Sequence, residues 1–406
     1  PRVKLDYGLR WEAQIQPDPI TPPDKVFYAG FIGKTKDGQE FPSDGKIPSD
    51  YSMWQPRLAV AVDALGDSST VVRGTAGLYY SRIPGLALAS SRSTNGSIGQ
   101  TLFRNSALTN VLGPVPAYTE LIPQSATGDP FKPDVFVFDK HFRNPRTTAT
   151  SLSVERVLEE DLSASLTFNY AVTDFLTRFA NRNDTLLGSP WSTGLGADGT
   201  NGINSLTVVE STAHSKYWGL TLGLRKDFSH HFAFQLNYTY SKDRSDDDNE
   251  RDPFSFRYAK VTDLNAEWGY SDRDQRHRVN AWFLYRAPWD VDINLRYAYR
   301  SAQPQSITAS GAVAQTPQDR INPDGSVTQR NLGRKDNAFN SLDLRVSKPF
   351  SVGSFSIEPI VEVFNVFNSA NFRRPEVTNL IFNFDGTVQS GNGDPRQVQI
   401  GLRFLW

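Results

Sequence analysis

Hydrophobic and polar residues alternate along most of this chain. In the opening segment, Val3, Leu5, Tyr7, Leu9 and Trp11 share one parity, while polar or small residues take the other. Successive side chains of a β-strand point to opposite faces, so the pattern predicts strands with one apolar and one polar face. The strongest such segments are 3–11, 162–170, 232–240, 291–299 and 397–406.

Weaker alternation adds seven further segments. They are 58–64, 72–80, 152–158, 218–224, 279–285, 342–346 and 355–363. Each strong segment has about the 9–11 residues that a tilted strand needs to cross a bilayer. The chain is therefore predicted to be all-β with about twelve antiparallel strands, an even number, as single-chain bacterial barrels require.

The connections between these segments alternate strictly between short and long. The short connections, predicted as tight turns, are 66–69, 159–161, 227–230, 287–290 and 350–353. The long connections are 14–53, 82–146, 178–214, 242–275, 301–340 and 368–395. A transmembrane β-barrel has short periplasmic turns and long extracellular loops, whereas a soluble β-sandwich has no reason to place every long loop at one end.

Aromatic residues agree with this arrangement. If the long loops are extracellular, the first strand runs outward and the last strand ends in the periplasm. Aromatic side chains then fall at the two membrane interfaces, as expected for a barrel. The predicted outer belt is Trp11, Tyr238, Tyr240, Tyr297 and Tyr299, and the predicted inner belt is Phe232, Phe350, Phe355 and Trp406.

Composition narrows the class further. The 406 residues carry a net charge of −1 and no cysteine, and the mean hydropathy is −0.46. No stretch approaches the roughly 20 apolar residues of a spanning helix, but barrel strands are half polar. The charge balance argues against nucleic acid as a partner. Because strand residues follow Pro1 at once, we expect a processed or truncated piece of a longer chain.

Charged residues occupy the polar parity of the strands. A charge facing lipid costs about 2–4 kcal/mol near the bilayer midplane, so this face is predicted to line a polar lumen. The predicted lumen-lining residues are Arg10, Arg73, Arg225, Asp292, Arg296, Arg300, Asp343, Arg345, Glu358, Glu362 and Arg403. They either pair across neighbouring strands, around a plug or water, or form a selectivity lining.

Other chemistry has less support. The oxygens of Asp246, Asp247, Asp248 and Asp252 are enough for a Ca²⁺ site, but the spacing of an EF-hand is missing, and a solvated loop is the preferred interpretation. The pair His230-His231 is predicted to lie in a tight turn rather than at a metal.

Two further groups of residues each suit more than one role. Asp272, Asp274 and His277 suit an acid/base group or, preferably, a salt-bridged loop edge, because arginines crowd them. Loop aromatics either stack on a ligand or pack the loops together. They are Tyr118, Phe131, Trp191, Phe254 and Phe256. No enzymatic motif is present in the sequence, so no enzyme and no cofactor are expected.

The C-terminal segment resembles the terminal strand that outer-membrane proteins present to the barrel-assembly machinery. Its alternating apolar residues end on an aromatic residue, as that signal does. The residues concerned are Val398, Ile400, Leu402, Phe404 and Trp406. The resemblance implies the barrel-assembly machinery and outer-membrane lipid as partners.

Several segments are similar to the barrel of TonB-dependent transporters, specifically the Oar-like group with a carboxypeptidase-regulatory-like domain. They are EVFNVFNSANF at 362–372, DRDQRHRVN at 272–280, LNYTYSK at 236–242, VRGTAGLYYSR at 72–82 and NPR at 144–146. Barrels of this family have roughly 22 strands around a plug. With about twelve strands, no plug and no TonB box, residues 1–406 are expected to be one barrel domain, the C-terminal portion of a larger barrel.

The resemblance implies transport across the bacterial outer membrane. A TonB-dependent receptor takes up a scarce or bulky substrate, with the TonB complex acting through the plug region absent from this sequence. Two alternatives remain: a surface structural or adhesion barrel whose extracellular loops bind a partner, and a small passive porin. The transported ligand is not specified by the sequence, because specificity lies in loops and plug.

Overall fold

Twelve long strands form one antiparallel sheet in which each strand pairs with its neighbours in chain order. The computed structural model describes residues 2–83, 85–94, 132–195, 201–248, 258–353, 355–369, 371 and 395–406. The long strands are β1 (Val3–Gln14), β2 (Asp50–Asp63), β3 (Thr70–Tyr80), β4 (Arg146–Glu159), β5 (Leu162–Asn181), β6 (Leu206–Ser229), β7 (Phe232–Ser245), β8 (His277–Ala287), β9 (Val291–Arg300), β10 (Phe339–Ser347), β11 (Phe355–Phe364) and β12 (Gln397–Leu405). The predicted all-β, antiparallel architecture is confirmed.

Smaller elements lie at the strand ends. Three short strands join the sheet: Val135–Phe138, Gly269–Tyr270 and Phe350–Val352. Two separate two-stranded sheets pair Thr35–Lys36 with Gln39–Glu40 and Pro304–Gln305 with Gly333–Arg334. The helix α1 spans Gly85–Ser93, and 3₁₀ turns span Ala29–Phe31, Thr185–Leu187, Leu264–Glu267, Pro288–Asp290 and Pro317–Arg320. No helix in the described part of the chain has the length and apolarity to span a membrane.

The strand register keeps the two parities apart across the sheet. Leu166 of β5 lies opposite Leu222 of β6, and the polar pair Thr167 and Thr221 follows one residue later. The apolar face is exposed rather than packed against a second layer; Ile400, for example, is 77% exposed. A soluble protein would bury such a face, whereas a bilayer solvates it.

Tight turns connect the strands at one end. Ser229 and Phe232 are joined through His230 and His231, whose φ angles are 49° and 70°. Positive φ at both central residues is the backbone of a two-residue hairpin turn whose twist matches the flanking strands. The predicted turn at 350–353 is wrong in part. Residues 350–352 form a short strand paired with the start of β11, because the alternation continues through them.

The opposite end of the sheet carries a folded cap. We define the cap as the described residues of 15–49, 81–145, 174–214, 241–276 and 301–338. The predicted loop at 178–214 is wrong at both ends, since β5 continues to Asn181 and β6 begins at Leu206. These extensions are buried on both faces, which removes the alternation by which a half-buried strand is recognised.

The buried hydrophobic core of the molecule lies in the cap. Phe31, Phe41 and Trp191 form its centre, with the two phenylalanine rings 5.3 and 5.0 Å from the tryptophan ring. A parallel strand, Val135–Phe138, lies beside the start of β6 and adds four buried residues. The cap therefore folds around its own core, outside the apolar band of the strands.

Candidate functional site

All eleven predicted lumen residues lie on the polar face. The register places Arg73 opposite Ser153, Arg296 opposite Asp343, and Arg403 opposite Glu358. Each of these pairs is flanked along its strands by apolar pairs of the other parity. The charged residues therefore point away from the apolar band, as the alternation predicts.

A charge network links the last three strands across the polar face. Glu358 of β11 lies 3.8 Å from the Arg345 guanidinium on β10 and 3.5 Å from the Arg403 guanidinium on β12. Arg345 also lies 3.6 Å from Glu362. The network joins β10, β11 and β12 through side chains as well as through the backbone ladder.

Other charges of the polar face pair more locally. Arg73 lies 2.5 Å from Glu155 on the next strand, while Arg10 pairs with Glu12 along its own strand. Arg225 likewise pairs with Asp227, at 2.9 Å. Pairing therefore occurs both across strands and along them.

The hairpin of β8 and β9 contains two further arginines on the polar face, Arg278 and Arg286, that are absent from the predicted set. Arg286 lies opposite Asp292, with its Nε 2.8 Å from the carboxylate. Arg278 lies opposite Arg300. Both residues were detectable, because they extend the parity of the segment 279–285 by one residue at each end.

The acidic run at the end of β7 is not a solvated loop. Asp246 and Asp247 are only 4% and 2% exposed. Asp246 lies 2.8 Å from the Arg178 guanidinium, Asp247 accepts a hydrogen bond from Tyr258, and Asp248 lies 2.9 Å from Arg330. The expected solvation is wrong because these partners arrive from distant segments.

The Ca²⁺ candidate gains no support from this arrangement. The guanidinium groups of Arg178 and Arg330 already lie against Asp246 and Asp248, so a bound cation would meet their positive charges. Among the residues that the structure describes, no three His, Cys, Asp or Glu side chains are grouped to hold a metal ion. Asp252, the fourth candidate, lies outside the described residues.

The group around Asp274 is a salt-bridged edge of the cap. Asp274 lies 2.6 Å from Arg334 and 3.8 Å from Arg276, and Asn331 donates a hydrogen bond of 2.6 Å to Asp272. His277 lies apart, with its Nδ1 2.8 Å from the Tyr238 hydroxyl. The geometry fits the salt-bridged interpretation rather than an acid/base group.

The structure describes one of the five loop aromatics, Trp191. Trp191 is fully buried in the core of the cap, so it packs the loops and has no free ring face for a ligand. The other four, Tyr118, Phe131, Phe254 and Phe256, lie outside the described residues.

A cavity of ≈ 390 Å³ with several charged residues in its wall opens in the cap. Its wall contains the ion pair of Arg182 with Glu210, in which the glutamate is buried and the arginine is partly exposed. Asp139 is also in the wall, where its carboxylate accepts a hydrogen bond of 2.7 Å from the His141 amide. Burial raises the pKa of Asp139. The alternation pattern gives no sign of this cavity, because its residues come from five separate stretches of the chain.

The terminal strand β12 presents the predicted assembly residues on the apolar face. Val398 lies opposite Val363, Ile400 opposite Val361, and Phe404 opposite Ile357. Trp406 follows the strand and is 91% exposed. The assembly role of this strand remains a prediction.

Comparison with solved structures finds similarity to outer-membrane proteins. They include the outer membrane transporter YddB from Escherichia coli (11% identity, TM-score 0.46, covering 79% of this chain and 37% of that one) and the FrpB iron transporter from Neisseria meningitidis (14%, 0.46, 89% and 40%). A third is BauA, the ferric preacinetobactin receptor from Acinetobacter baumannii (10%, 0.45, 88% and 37%). The chain thus spans 37 to 40% of their lengths.

A search of curated proteins finds no match. The model of one protein family, described as an outer membrane beta barrel domain, matches residues 1–294. That match covers most of the 406 residues and agrees with the antiparallel sheet and its exposed apolar face. The chain therefore belongs to the outer membrane β-barrel domain family and is a protein of the outer membrane.

Proposed function

We propose that this chain supplies the C-terminal strands of a TonB-dependent receptor barrel, of the Oar-like group, that takes up a scarce or bulky substrate. The observation that carries the proposal is the continuous polar face, where charged residues from β1 to β12 point away from lipid. Such a face suits an aqueous or plugged interior. The motif at 362–372 supports the same family.

The edges of the sheet support a larger barrel. Within the described residues, β1 pairs only with β2, and β12 pairs only with β11. An unpaired backbone N–H or C=O group in hydrocarbon costs several kcal/mol, so membrane strands require partners on both sides. We propose that further strands of a barrel of roughly 22 strands pair with these two edges.

The cap supplies the proposed capture surface. It holds its own hydrophobic core and a network of buried ion pairs, so its surface is arranged before any ligand arrives. A preorganised surface loses less conformational entropy on binding than a flexible loop does. The proposed route runs from this surface through a plug moved by the TonB complex.

Growth of the host bacterium tests the proposal. We compare a strain lacking this gene, a strain lacking TonB and a complemented strain, with iron, cobalamin, a peptide or a glycan as the single limiting nutrient. Both deletions are expected to cause the same nutrient-specific growth defect, which complementation reverses. A defect of the gene deletion that TonB loss does not reproduce contradicts energised uptake and favours a passive pore.

The cap also favours a second candidate, a surface structural or adhesion barrel. Its fully buried core gives the loops a fixed outer surface, which is what a protein partner requires. Under this alternative, the gene deletion leaves growth normal on every nutrient and removes attachment of the cells to a surface. The growth comparison therefore separates the two functions.

A further inference from the structure

The polar face of the hairpin formed by β8 and β9 has two unequal ends. At the turn end, Arg286 lies opposite Asp292, and the two side chains form an ion pair of 2.8 Å. At the cap end, Arg278 lies opposite Arg300. Residues directly opposite in an antiparallel pair have Cβ atoms about 4.5–5.5 Å apart, and like charges there are destabilising.

In the described part of the chain, no acidic side chain compensates the two arginines at the cap end. Among the residues that the structure describes, neither Arg278 nor Arg300 has an ion pair, although Arg73, Arg345 and Arg403 on the same face all have one. The Arg300 guanidinium instead lies over the Phe339 ring, 4.5 Å from its centre. That contact holds one guanidinium in place but leaves its charge unbalanced.

The acids on adjoining strands are engaged elsewhere. Asp343 on β10 lies opposite Arg296, not Arg300, and its carboxylate accepts hydrogen bonds from the Asn365 amide at 2.9 Å and from the Ser341 hydroxyl at 3.1 Å. Asp274 in the cap is bound by Arg334 at 2.6 Å. The two positive charges therefore need a negatively charged partner other than these two carboxylates.

The residues around Arg278 and Arg300 leave space for a small solute and supply polar groups beside it. On β7, Thr239 lies opposite Arg278. The next inward pair on the polar face is Asn280 with Ala298, an amide beside a small side chain. Arg278 is exposed and Arg300 is half-buried, so a solute in the lumen reaches both.

We propose that Arg278 and Arg300 bind a small oxyanion, a carboxylate or phosphate group, at the cap end of the polar face. The planar guanidinium fork matches two oxygens of such a group, and an anion placed between the two cations replaces their repulsion with attraction. If the chain is part of an uptake receptor as proposed, this site indicates that its solutes carry a negatively charged group. The site does not depend on that uptake role, because binding at equilibrium requires no energy coupling.

The test measures binding of inorganic phosphate to the full chain in detergent by titration calorimetry. Ionic strength is held constant with sodium chloride. The unaltered protein is expected to bind phosphate, and the double variant Arg278→Gln/Arg300→Gln is expected to bind it at least tenfold more weakly. The matched control Arg286→Gln removes one charge from the same hairpin and should change the dissociation constant less than twofold.

Two results overturn the proposal. One is the absence of phosphate binding by the unaltered protein, and the other is an equal loss of affinity in Arg286→Gln, which shows a general charge effect. If the double glutamine variant does not fold, Arg278→Lys/Arg300→Lys decides the question. This variant keeps both charges without the fork, so a several-fold loss of affinity supports the site and an unchanged affinity overturns it. The growth experiment above is independent of each result.

Discussion

The buried ion pair of Glu267 and Arg320 offers a quantitative test of how the cap is held together. The two residues are 0% and 1% exposed. The Arg320 Nη2 atom lies 2.7 and 2.6 Å from the two carboxylate oxygens. One of these oxygens also accepts a hydrogen bond of 2.9 Å from the Ala259 amide. The pair therefore ties together segments from two different connections of the cap.

The substitution Glu267→Gln removes the charge and keeps an acceptor for the Ala259 amide. With charge centres about 4 Å apart and an effective dielectric constant of about 20, the lost attraction is about 4 kcal/mol. Breaking a buried pair costs about 3–5 kcal/mol, because one charge stays buried without compensation. The double variant Glu267→Gln/Arg320→Met removes that charge too, so it should lie within about 1–2 kcal/mol of the unaltered protein.

Hydrogen exchange of cap amides in detergent measures both variants. A loss of about 3–5 kcal/mol in the opening free energy corresponds to exchange faster by a factor of about 10² to 5 × 10³ in residues near the pair. Amides of β8 and β9 serve as the internal control and should exchange unchanged. The reasoning is refuted if Glu267→Gln accelerates cap exchange less than tenfold, or if the double variant exchanges as fast as the single one.

Two further predictions concern the faces of the sheet and the pH response. Leu236→Arg places a charge on the apolar face of β7 and should lower the free energy of unfolding in lipid vesicles by about 2–4 kcal/mol. The control Asn237→Arg, on the polar face, should lower it much less. Equal losses in the two variants would contradict the assigned faces. Asp243 lies beyond Tyr240, outside the membrane-spanning part of β7, and burial raises its pKa to about 6. Its contribution to stability is therefore present below the unfolded pKa of about 3.9 and lost as the pH rises through 6. Asp243→Asn should slow cap exchange at pH 7.5 and change it little at pH 4.5; faster exchange at pH 7.5 would disprove the assignment.

The strands were predictable because each has water on one side and hydrocarbon on the other. In β5, alternation runs cleanly from Leu162 to Tyr170, and the structure keeps that register. Further along the same strand, Phe179 and Ala180 are both buried. When both faces of a strand are covered, the period of two disappears from the sequence, so the strand residues 178–181 and 206–214 are predicted as part of a loop.

The candidate site likewise has one property that the sequence predicts and one that it does not. Membership of the polar face follows from parity, which is local, so the sequence predicts it for all eleven residues. That this face lines a lumen stays a prediction. Ion pairs depend on which strands meet and in what register, which is not local. The pairing of Asp248 with Arg330 joins residues 82 positions apart, so the acidic run was interpreted as solvated.

The continuity of β5 and β6 has a mechanical consequence for the cap. Both strands continue from the apolar band into the core of the cap, with pairs from Leu162–Lys226 to Asn181–Thr207. Two register shifts between Thr173 and Arg178 cancel each other, so the net register is the same on both sides of this irregularity. A slip of one residue anywhere in that ladder would turn every later side chain to the opposite face. The strand register that contact with lipid selects therefore determines which side chains can meet in the cap above the membrane.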